Sequence, residues 1–159
     1  MICEPCQAMF EEVADQVRAA DVFDKVRRGD DALMCRARSN GRDASYFAEV
    51  PEPHDLVWVG LLTSDRWLNE SIEAALMYQG DDIQELLEDE LIDQGFDGRL
   101  PVEHFRDNEK QYLFRSPVFL PNGEKLNEEP MINRVSKVLL AYEAAFNQLG
   151  DLRAGQDES

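Results

Sequence analysis

Cys3 and Cys6, separated by Glu4 and Pro5, are the residues whose spacing points most directly to chemistry. A Cys-x-x-Cys pair at a helix N-terminus works as a thiol–disulfide device when the helix dipole and the free N–H groups of the first turn stabilise the first thiolate. The same pair forms half of a zinc site if two more ligands converge on it. Thioredoxin-like chemistry also needs a preceding strand and a βαβ frame, and nothing before Cys3 supplies either. For zinc, only Cys35, His54 and His104 remain as His or Cys ligands, and they fall in three separate stretches. No metal and no cofactor is therefore expected, and a thiol redox or metal role for Cys3 and Cys6 is kept as a third reading behind two others.

The carboxylates are too numerous to define a catalytic pair by themselves. Asp81-Asp82 and Glu128-Glu129 fall where helices are expected to begin, and acidic side chains are favourable there. Glu88-Asp89-Glu90 with Asp93 reads as the solvated face of a helix, and a basic partner could dock on it. His104 stands between Glu103 and Phe105 on a short strand pattern, with no Ser/His/Asp set around it. The fragments QGFDG and SNGRD lack the spacing of a phosphate-binding loop. No catalytic residue is assigned, and the chain is expected not to be an enzyme.

Composition narrows the partners. The 159 residues carry 33 acidic against 16 basic side chains, a formal net charge of -17. So acidic a chain is a poor ligand for nucleic acid or an anionic membrane, since both recruit Lys and Arg to neutralise phosphate. An apolar content of 43% is enough for a folded core in spite of that charge. No signal-peptide pattern and no apolar run long enough to span a bilayer is present, so a cytoplasmic location without membrane insertion is expected. One α+β domain over 1–152 and a disordered tail over 153–159 complete the expected organisation.

The periodicities supply the elements. Phe10, Val13, Ala14 and Val17 give a first helix over Cys6–Ala20. ALMCRAR and DASYFAEV alternate around Asn40-Gly41, which favours a tight hairpin turn. After Pro51 and Pro53, DLVWVGLLT is apolar on both faces, with Leu56, Trp58 and Leu62 on one and Val57, Val59 and Leu61 on the other, as in an interior strand. A helix opening at Ser64 or Asp65 and stopping near Gly80 precedes a second, capped by Asp82 and Glu85, over Ile83–Gln94. VEHFR and QYLFRSPVFL form another hairpin, with Pro117 marking an edge or a bulge. Asn127 is a cap and Pro130 a first-turn residue for a long final helix that runs toward Gly150. The order α-βββ-α(α)-ββ-α predicts a two-layer α+β fold, a five-stranded antiparallel sheet with its helices mainly on one face.

That order, with LLTSDRWLNESIEAAL leading out of the central strand and YLFRSPVFLPNGEKLNEEPMINRVSKVLLAYEAAFNQLGDL closing the chain, resembles the YbjN family and the type III secretion chaperones of the Tir chaperone-like fold. The resemblance covers nearly the whole chain and rests on element order, size and acidity. It implies a small acidic protein, often a homodimer, that holds an extended segment of a partner against its sheet. The strand aromatics Tyr46, Trp58, Tyr112 and Phe114 are the candidate partner-binding residues, and core packing beneath the helices is the alternative for each. The leading expectation is a non-enzymatic protein-binding module, secretion-chaperone-like or adaptor-like. The alternative is an acidic regulatory or structural domain that docks a basic partner.

Overall fold

The computed structural model describes residues 4–29, 32–37, 44–52, 54–63, 83–93, 95, 100–106, 112–121 and 123–146. Among them the order is α1 (Glu4–Ala20), β1 (Phe23–Arg28), β2 (Ala32–Ala37), β3 (Ala44–Glu49), β4 (Leu56–Thr63), α2 (Ile83–Asp93), β5 (Glu103–Arg106), β6 (Tyr112–Phe119) and α3 (Glu129–Phe146). All strand pairs are antiparallel, in the spatial order β1-β2-β3-β4-β6-β5. The expected α+β architecture is present, and the sheet carries one strand more than the sequence suggested, β1 at its edge. The Asn40-Gly41 turn, the helix from Ser64 to Gly80, the cap at Asp82, the turn before β6, Cys3 and the tail over 153–159 lie outside the described residues.

The sheet's inner face and the helices form one core. Leu33 and Cys35 of β2, Ala44, Tyr46 and Ala48 of β3, Val57, Val59 and Leu61 of β4, and Phe114 and Val118 of β6 are all buried. Against them lie Met9, Phe10, Val13 and Val17 of α1 and Val135, Leu139, Tyr142 and Phe146 of α3, while Leu87 and Leu91 anchor α2 to the same cluster. The stripe on α1 is thus consumed by its own sheet and α3. Asp21, at φ 58°, ends α1 in the left-handed conformation, its N–H donating to Arg18 O at 3.1 Å. Gly95, at φ 78°, does the same after α2, donating to Ile92 O.

The start of α3 differs by one residue from the sequence reading. Glu128, not Asn127, takes the cap position: Glu128 O accepts the first helical bond from Ile132, and its carboxylate accepts from Lys125 N at 3.0 Å. Pro130 sits in the first turn, where no intrahelical N–H is needed.

β4 runs between β3 and β6, the interior place its two apolar faces require. Pro117 lies in β6 opposite Trp58. β5 pairs only with the Tyr112–Arg115 half of β6, so from Ser116 onward β6 is an edge among the described strands, which is where a residue without an N–H is tolerated.

Candidate functional site

The outer face of the sheet, opposite the core, is the place to look for a binding site, and strand register gives its layout. One row across it reads Lys25, Arg36, Ser45, Leu62, Leu113. The next reads Arg27, Met34, Phe47, Gly60, Arg115, Glu103, and a third Ala32, Glu49, Trp58, Pro117. Leu56 and Phe119 pair at the far end. The centre of this face is apolar, with basic residues on its β1–β2 side.

Gly60 makes the centre possible. A Cβ there would collide with Phe114 O and come within 2.8 Å of Phe47 Cε1 and 2.9 Å of Arg115 Cα. Its absence lets the Phe47 ring lie down across the row, and Phe47 is only 6% exposed although it faces away from the helices. Beside it the Arg115 guanidinium sits 3.7 Å from the centre of the Trp58 ring. Nε of Arg115 donates to Glu103 Oε1 at 3.1 Å, so the carboxylate helps hold the cation over the indole. Trp58 is half-buried by this arrangement, and Phe119, 63% exposed, projects at the rim.

The four candidate aromatics do not share a surface. Tyr46 and Phe114, each 1% exposed, point into the core: Tyr46 packs on Phe23 with ring centroids 5.5 Å apart, and Phe114 meets Phe146 edge-on at 5.0 Å. Neither is accessible from the outer face. Trp58 lies on that face, and the side chain of Tyr112 is outside the described residues. Reasoning from the sequence missed Phe47, Arg115 and Phe119. Phe119 and Leu56 share parity with Trp58 along their strands, so once the outer side of Trp58 is known the rest follows by counting in twos.

The buried titratable groups are structural. The Tyr142 hydroxyl and Ser116 Oγ form a 2.7 Å hydrogen bond inside the core. Burial pushes the Tyr142 phenol upward, offset in part by that bond and raised further by the Glu103 charge. Burial likewise raises Tyr46, with a contribution from Glu143, and its hydroxyl has no hydrogen-bond partner among the described residues. The Cys35 thiol is free and pushed up to about 12 by burial, against a small opposing pull from Arg18. A thiol so far from ionising is a packing group, not a nucleophile. Cys6 is disulfide-bonded and buried.

Among the described residues no three His, Cys, Asp or Glu side chains are placed to hold a metal ion. None of the described helices is long and apolar enough to cross a membrane. Compared with family models, curated proteins and solved structures, the chain matches none of them.

Proposed function

We propose that this chain is a non-enzymatic protein-binding module, secretion-chaperone-like or adaptor-like, that captures a polypeptide segment on the outer face of its sheet. The observation that carries this reading is the composition of that face: Phe47, Trp58 and Leu62 at the centre, Arg115 stacked on the indole, and Phe119 left 63% exposed at the rim. A half-covered Trp58 and Leu62 over a buried Phe47, with an exposed Phe119 at the rim and a cation held in place by Glu103, suit side chains arriving from another chain. The described helices pack on the opposite face, so the strip plays no part in the core they build. Resemblance to the secretion chaperones supports the same reading, as does an acidity that keeps a complex soluble. In this reading the protein works as a homodimer.

Phe119→Ser tests the proposal on a rim residue outside the core, and Trp58→Ala tests its centre. Crosslinking in the native cell followed by pull-down should recover a polypeptide with the wild-type chain. Its yield should fall about tenfold or more with either variant and hold in about 1 M salt, because apolar contact is not screened. Retention of the same partner by both variants, with folding checked by circular dichroism, would sink it. Loss of the partner at high salt together with its loss on neutralising the exposed Glu85, Asp89 and Asp93 of α2 would also sink it, in favour of the alternative of a basic partner there.

A further inference from the structure

The β1–β2 side of the outer face departs from the rest of the molecule in charge. Lys25 and Arg36 are cross-strand neighbours, Arg27 pairs with Met34, and these four with Arg28 and Ser45 line an open depression of about 440 Å³. In a chain with 33 acidic and 16 basic residues, a cation finds a carboxylate easily. Arg28 does, 3.6 Å from Glu11 of α1, as do Arg18 with Asp15 and Arg134 with Glu124. Neither Lys25 nor Arg27 makes an ion pair among the described residues, although both are exposed.

Protection of an edge strand from aggregation accounts for charges on β1. It does not account for the way Lys25 and Arg27 flank Met34 at the mouth of that depression. The strip also continues along its row from Arg27 through Met34 to Phe47 and Gly60, directly into the apolar centre. Charge complementarity then selects the occupant.

Building on the proposed capture of a polypeptide, we infer that the captured segment is acidic: its carboxylates meet Lys25 and Arg27, and an apolar side chain between them rests on Met34. The surrounding negative field of the protein makes this a short-range preference. It opposes long-range attraction of any polyanion, and only a segment that also gains apolar contact overcomes it.

Fluorescence anisotropy with two labelled peptides tests the inference, one alternating glutamate with leucine and one alternating serine with leucine. The wild-type chain should bind the glutamate peptide about tenfold more tightly. Lys25→Glu/Arg27→Glu should remove that difference and leave the serine peptide unchanged, and Lys25→Gln/Arg27→Gln should fall between them. Equal binding of the two peptides by the wild type, or a difference that survives charge reversal, overturns the acidic preference while leaving capture on the apolar face standing. Tighter binding of a labelled oligothymidylate than of the glutamate peptide also overturns it, by assigning the strip to phosphate. If neither peptide binds, the inference and the capture reading fall together.

Discussion

Ser116 and Tyr142 show how individual residues set the cost of polarity in this core. Each hydroxyl is fully buried, and each has the other at 2.7 Å. Tyr142→Phe removes one partner and strands the Ser116 hydroxyl, so it should destabilise by about 1–3 kcal/mol. Ser116→Ala/Tyr142→Phe removes both and should recover much of the loss. Urea unfolding of the three variants checks this, and a double variant no better than the worse single one would contradict it. Residues of this kind were hidden in the sequence, where a serine in the strand pattern YLFRSPVF gives no sign of a tyrosine waiting 26 positions later. Tyr46 and Phe114 were hidden for a related reason. Alternation puts them on one face of their strands and does not say which face the helices cover. For Trp58 the ambiguity was greater still, since both faces of β4 are apolar.

At the level of elements, most of the sheet was legible and β1 was not. β2, β3 and β4 alternate or run apolar, and their pairing follows from short connections. β1 reads FDKVRR, only Phe23 and Val26 turn inward, and a register shift between Phe23 and Lys25 spoils even that period. It pairs with β2 by its backbone and is held from the other side by α1. Arg18 Nη2 donates to Val26 O and Gln7 Nε2 to Gly29 O, each at 3.1 Å. Side-chain periodicity carries no record of such bonds. The junction of β4 and β6 gives the prediction at this scale. Gly60→Ala has to push apart the backbone around Phe114 O, which no rotamer change can relieve. It should cost about 1–3 kcal/mol or more and disturb the Trp58 environment. Thermal unfolding and tryptophan fluorescence measure both, and a variant with wild-type stability would show that the two strands are not in contact as described.

Considered whole, the molecule combines a net charge of -17 with a core that, among the described residues, holds Cys35, Tyr46 and Tyr142 in their neutral forms. Each has its value raised by folding, so the folded chain keeps a proton that the unfolded chain gives up. The stability they contribute is full below the ordinary value and is lost as pH rises. For Cys35 the window runs from 9.0 to about 12, and for the tyrosines it opens at 10.0. Urea unfolding at a series of alkaline pH values should show a decline that Cys35→Ala makes shallower by up to roughly 1.4 kcal/mol per pH unit inside that window. Identical slopes in the two proteins would mean that the thiol is not sealed from water. Added salt, by screening the net charge, separates this effect from global repulsion.

The bonds from Arg18 and Gln7 to β1 have one more consequence. They occupy main-chain acceptors at one rim of the sheet, and Pro117 removes a donor at the other, in β6 beyond the reach of β5. Under the proposed capture, a visiting chain therefore gains little at these positions by aligning itself as an additional strand, and its peptide groups are not what is read there. What counts is the sequence of side chains it lays on the face. A reader of the proposed kind would tolerate proline in its target and be indifferent to the direction in which the target runs. It would discriminate by the order of charged and greasy residues, a vocabulary that point substitutions in either protein can rewrite one letter at a time.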